Sequence, residues 1–125
     1  MLMIRKEVYL KSKIVFGENH PDVLRFLNNL SASYFELKLY EKALHLRKEV
    51  FEKSKKLLGE NHPLTINFMQ SLVESYKSLQ MYNDALIMQQ TVINKYREVL
   101  GENHPDTINS VNKLIVILIY IKRHK

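Results

Sequence analysis

The chain contains no cysteine and no tryptophan. A disulfide framework, a cysteine-ligated zinc finger and a cysteine nucleophile are excluded at the outset. Glycine and proline are almost as scarce, with three of each, and all six sit in one recurring pentapeptide, Gly-Glu-Asn-His-Pro. Long apolar runs are missing too. The longest, residues 114–121, has eight members, far short of the roughly 18 that cross a bilayer. The opening MLMIRKEVYLKSK has neither an extended apolar core nor a small-residue cleavage site, so it does not read as a signal peptide. With 46% hydrophobic and 26% charged residues among 125, the composition is that of one globular domain, not a disordered chain. These missing signals lead us to expect a cytoplasmic protein with no membrane partner.

What is present is repetition. The pentapeptide occurs at residues 17–21, 59–63 and 101–105, a constant spacing of 42. Aligning residues 17–58 on 59–100 gives 16 identities, including Phe26/Phe68, Leu30/Leu72, Tyr34/Tyr76, Tyr40/Tyr82, Ala43/Ala85 and Val50/Val92. A fixed period of this length marks a stacked solenoid of small supersecondary units.

Within each repeat the apolar spacing is helical. Leu27, Leu30, Tyr34 and Leu37 recur at three and four residues, and Ala43, Leu46, Val50 and Leu57 at three, four and seven. Gly59 follows a helical stretch whose last turns carry Lys53, Lys55 and Lys56, cations that complement the helix dipole. The left-handed conformation open to glycine ends a helix there. Pro63 then suits the first turn of the next helix, where an N–H has no helical partner. A break is expected near residues 38–40, because one helix from 21 to 58 would be unusually long. The pattern predicts six helices, at about 2–16, 21–37, 41–58, 63–79, 83–100 and 105–122, in antiparallel succession and with no strand. Ala43 and Ala85 fall where two helices cross closely.

Little in the chain points to catalysis or metal binding. No G-x-S-x-G, P-loop, H-E-x-x-H or glycine-rich phosphate cradle is present. His20, His62 and His104 hold the same place in successive joints, so they should lie along an edge, not around a single ion. His45 and His124 have no companion at ligand spacing. We expect no enzyme activity, no metal and no cofactor. Nineteen Lys and Arg against thirteen Asp and Glu leave a charge of +6. Much of that charge (Lys11, Lys13, Lys53, Lys55, Lys56, Arg97) clusters near helix C-termini, without the basic, aromatic-interleaved face of a nucleic-acid binder. No nucleic-acid partner is expected.

The stretch NNLSASYFELKLYEKAL, residues 28–44, resembles the tetratricopeptide repeat (TPR). The 42-residue period and Leu-Gly-x-x-His-Pro joint are similar to the long variety found in kinesin light chains and related scaffolds. The matching residues are Leu30, Tyr34, Tyr40 and Ala43, then Leu72, Tyr76, Tyr82 and Ala85. The resemblance covers nearly the whole chain and implies an all-α, right-handed superhelical array of antiparallel helix pairs. In phase with that pattern, residues 1–16 form the second helix of a partial repeat. Residues 17–58 and 59–100 are full repeats, and 101–125 supply the first helix of another. Such phasing suits a segment of a longer array or a short one. The family carries glycine between paired helices where this chain has Lys38, Gln80 and Lys122. Because a left-handed lysine costs about 1 kcal/mol, those turns are expected to take another shape.

The resemblance also implies a role. First helices of such arrays line a concave groove that holds extended peptides, often through Asn side chains. Asn29 matches the groove Asn, with Ser71 and Lys113 in its place in later repeats. Arg25, Asn28, Glu36, Asn67, Gln70, Glu74, Lys77, Asn109 and Asn112 are expected on the same face. Amides both donate and accept, which suits them to pairing with peptide backbone of any sequence. A non-catalytic adaptor that binds a peptide or helix of a partner protein is the reading this favours. The alternative is a purely structural segment of a larger scaffold. The last helix is apolar nearly all round, as buried helices are. Val116, Ile119 and Tyr120 are expected to project towards the groove, and Ile117 and Ile121 to face an open end. A continuing array, self-association or a hydrophobic partner would each cover that end.

Overall fold

A computed structural model of the protein describes residues 1–123, and His124 lies outside them. Six helices occupy this span: α1 (Leu2–Phe16), α2 (Pro21–Glu36), α3 (Tyr40–Leu58), α4 (Pro63–Ser78), α5 (Tyr82–Leu100) and α6 (Pro105–Arg123). The described residues include no strand. They gather into two compact units, residues 1–68 and 69–125, with the boundary inside α4.

The joints explain why the helices begin and end where they do. Each proline opens a helix, and the preceding histidine caps it. The Nδ1 atoms of His20, His62 and His104 accept a hydrogen bond from the backbone N–H of Asp22, Leu64 and Asp106, each at 3.1 Å. Imidazole does here what Ser or Asp more often does: it satisfies one of the amides left orphaned in a first turn. Gly59 ends α3 with its N–H bonded to the carbonyl of Lys55 at 3.1 Å. Its φ of 92° and ψ of 162° lie outside the left-handed helical region expected for it, in an extended region that is essentially glycine's alone. The chain therefore leaves the helix stretched out instead of curling back. That extension lets a short joint reach the next N-cap.

The turns between paired helices differ from expectation in the opposite sense. Lys38 and Gln80 do adopt left-handed backbone, with φ of 64° and 61°. The N–H of Leu39 bonds the carbonyl of Tyr34 and that of Lys38 bonds Phe35, both at 2.9 Å. Met81 to Tyr76 and Gln80 to Lys77 repeat the arrangement at 2.8 and 3.0 Å. This is the Schellman motif, whose two bonds satisfy carbonyls at a helix end and outweigh the strain on a side chain with a Cβ. Lys122, at the third such position, lies within α6.

In residues 1–68, Leu24, Leu27, Leu30 and Tyr34 of α2 meet Ala43 and Val50 of α3 and Phe68 of α4. Leu2, Tyr9 and Leu46 flank this core. Leu37 and Leu57, expected on the same stripes, are exposed; the first has left the helix and the second sits in its last turn. In residues 69–125, Val73, Ala85 and Ile117 form the core, with Tyr76, Leu86, Met88 and Ile121 against it. Ile117 is fully buried and Ile121 half-buried, so neither faces an open end. On a 3.6-residue helix they lie on the side turned towards α4 and α5. The exposed side of α6 carries Ile108, Ile115, Val116, Leu118, Ile119 and Tyr120.

Buried polar side chains bind the pairs together. Arg47 of α3 donates from Nε to the Ser31 hydroxyl at 3.1 Å, and its guanidinium lies 4.7 Å from the centre of the Phe35 ring. At the same position of α5, Gln89 donates to the Ser110 carbonyl and accepts from the Gln70 amide, both at 2.9 Å.

Three substitutions test this description by thermal or denaturant unfolding. Ala85 has no exposed surface, so Ala85→Leu should destabilise by roughly 1–3 kcal/mol through overpacking. His62→Ala should cost about 1 kcal/mol, the usual worth of an N-cap. Lys38→Gly should raise the melting temperature, since it relieves about 1 kcal/mol of left-handed strain; Lys38→Val should lower it.

Candidate functional site

In residues 1–68 the expected site residues lie along α2 and the start of α4. Arg25, Asn29 and Asn67 are exposed and Asn28 is half-buried. Arg25 reaches Asp22 one turn back, Nη1 to Oδ1 at 3.6 Å. Arg5 of α1, which sequence reasoning did not single out, crosses to this helix. Its Nη1 donates to the Asn29 carbonyl at 3.0 Å and to the Ser33 hydroxyl at 2.9 Å, and stands 3.9 Å from the Glu36 carboxylate. Arg5 thus fixes the backbone that carries Asn29 while leaving the Asn29 side chain outside those bonds. The Asn28 Oδ1 atom is shielded from solvent and accepts no hydrogen bond. A small apolar cavity of about 150 Å³ is lined by Ile4, Arg5, Val8, Phe26 and Asn29.

In residues 69–125, Asn109 and Asn112 are exposed on α6, and Ser71, Glu74 and Lys113 are half-buried. Gln70 is engaged with Gln89 as described, so its amide joins two helices. Glu74 lines a larger cleft, about 440 Å³, together with Lys77, Ser78, Gln80, Tyr82 and Tyr120. Lys77 donates from Nζ to Glu74 Oε2 at 3.5 Å. The Tyr82 and Tyr120 rings face one another with centroids 5.6 Å apart and a 33° tilt. Nearby, burial and then the Asp84 carboxylate push the Tyr76 phenol above its ordinary value, so at neutral pH it remains a hydroxyl donor.

The cleft combines one ammonium, one carboxylate, an amide and a hydroxyl with two phenol rings. Such a set can hold an extended segment, with the rings against an apolar side chain and the polar groups against backbone. Tyr120 was expected on this face from its place in the last helix. Tyr82 was not, because its match to Tyr40 across the repeat makes it look like framework. Tyr40 does pack that way, edge-on to Phe35 at 5.1 Å. Its counterpart faces Tyr120 instead, and the signal in the sequence is Lys77, which stands where the first repeat has Phe35 and so removes that ring partner. Of the expected residues, the cleft gathers Glu74, Lys77 and Tyr120; Asn109, Asn112 and Lys113 lie elsewhere on α6.

No group of three or more His, Asp or Glu among the described residues could hold a metal ion. Each joint histidine directs Nδ1 at its own backbone. No helix among the described residues is long and apolar enough to cross a membrane.

Comparison with known proteins agrees with this architecture. A search of curated proteins returns no match. Among solved structures, a protein of Podosopora anserina described as a kinesin light chain with nearly identical TPR-like repeats superposes with a TM-score of 0.86 at 19% identity. A point variant of that protein gives 0.85, also at 19%. The match takes in 93% of this chain but 55% of the other in both cases, so this chain spans about half the length of those structures. At that identity the likeness establishes the fold, an all-α array of tetratricopeptide type. The tetratricopeptide repeat model itself matches residues 22–98, which is more than half of the sequence and takes in nearly all of α2 to α5. This chain belongs to the tetratricopeptide repeat family.

Proposed function

We propose that the chain is a non-catalytic, cytoplasmic adaptor that binds an extended peptide or a helix of a partner protein. The family is one of protein-interaction and scaffold modules, and the exposed amides of α2, α4 and α6 suit backbone recognition. The cleft on residues 69–125 is the observation that carries this reading furthest. Its polar groups and ring pair sit together at the end of α4, beside the Gln80 turn. A rigid left-handed turn anchored by two hydrogen bonds holds Gln80 and Tyr82 in place before any ligand arrives, which limits the ordering cost of binding. In residues 1–68 the exposed Asn29 and Asn67 side chains supply further amides for a bound backbone.

A displayed library of disordered peptides tests the proposal. The intact chain should enrich a common motif. Tyr120→Ala and the double variant Asn29→Ala, Asn67→Ala should each weaken binding about tenfold, the scale of one or two lost contacts at about 1.4 kcal/mol per decade. Undiminished binding by both variants would place the contact surface elsewhere. Failure to enrich any peptide would favour a purely structural segment of a larger scaffold.

A further inference from the structure

The cleft beside Gln80 is lopsided in its hydrogen-bonding chemistry. Lys77, Ser78, Gln80, Tyr82 and Tyr120 all carry donor hydrogens. The one group that can only accept, the Glu74 carboxylate, already takes a hydrogen bond from Lys77 at 3.5 Å. That same pair cancels the cleft's charge, so no net charge selects an acidic or a basic ligand. The opening belongs to the repeat itself. Tyr120 holds the position in α6 that Ser78 holds in α4, and Ser78 lines the cleft although α5, the second helix of its pair, is in place. A further helix after α6 would leave that position on the same open side.

We infer that the preferred ligand of this cleft is a proline-rich segment in the polyproline II conformation. The inference rests on the adaptor reading above and narrows its ligand class. Ordinary extended backbone offers N–H and C=O groups in equal number, which a donor-rich cleft satisfies poorly. Proline removes the N–H, and polyproline II makes no internal hydrogen bonds, so its carbonyls all seek outside donors. The phenol rings supply the other half of the match. Their centres lie 5.6 Å apart with a 33° tilt, and two residues of polyproline II advance about 6 Å, so the ring pair spans about two residues of such a segment. Pyrrolidine rings are apolar and pack against aromatic faces, the recurrent way in which such segments are read. Little ordering is needed on either side. Proline fixes φ in the ligand beforehand, and the two hydrogen bonds of the Gln80 turn fix one wall of the cleft.

Fluorescence anisotropy on the whole chain tests this with two labelled peptides of about nine residues, three turns of polyproline II. One is rich in proline; the other has alanine at each of those places. The proline peptide should bind about tenfold more tightly or better. Tyr120→Ala should weaken that binding about tenfold. Lys77→Met, which keeps the aliphatic stem and loses the donor, should weaken it about threefold, the scale of one hydrogen bond. Circular dichroism checks that both variants keep their helices, and either one suffices. Equal affinity for the two peptides would overturn the inference while leaving the adaptor reading intact. So would binding of the proline peptide that survives both substitutions, since the contact would then lie outside the cleft. A chain that binds neither labelled peptide also overturns it; the adaptor reading falls with it only if the displayed library enriches nothing.

Discussion

A single helix of this chain cannot bury its own apolar stripe, and the surrounding structure follows from that constraint. Leu24, Leu27 and Tyr34 need α3, Val73 needs α5, and Ile117 is buried only because α6 lies against that neighbour. Burial of each such side chain is worth roughly 1.5–3 kcal/mol, and only adjacent helices supply it. Stability is therefore built step by step along the chain. The first and last helices keep the faces that a further step would cover.

Two short devices hold the steps in register. The Gly-Glu-Asn-His-Pro joint stops one helix with an extended glycine and starts the next with a histidine cap and a proline. The turns at Lys38 and Gln80 close each pair with a Schellman motif. These segments explain why glycine and proline are confined to the pentapeptide. Glycine is needed where φ and ψ together exclude a side chain, and not where only φ is positive and two hydrogen bonds compensate.

The same repeat position serves different contacts as its neighbours change. Arg5, Arg47 and Gln89 occupy one position of three successive second helices. Arg5 ties α1 to α2, Arg47 lies over Phe35 and bonds Ser31, and Gln89 links α4 with α6. A framework that fixes where each side chain starts, but not what it meets, lets one repeat unit generate distinct surfaces. The cleft beside Gln80 is one of them: Tyr40 packs on Phe35, whereas Tyr82, with Lys77 at the matching place, faces Tyr120.

The helices, their order and their limits to within about a residue were legible in the sequence, because period, proline and glycine act locally. So was burial of Ala43, Ala85 and Tyr34, since heptad-like spacing selects one side of a helix. The resemblance, not the spacing, suggested Asn29, Asn67, Asn109 and Asn112 as surface amides, and all four are exposed. Other features needed the fold. Whether Lys38 could be left-handed depended on the hydrogen bonds that offset its strain. Ile117 and Ile115 are both isoleucines two residues apart, yet one is buried and the other exposed; only the place of α5 separates them. The engagement of Gln70 and the pairing of Tyr82 with Tyr120 depend on side chains about twenty to forty residues away. Local pattern fixes what each helix offers, and tertiary contact alone decides which of those offers is taken.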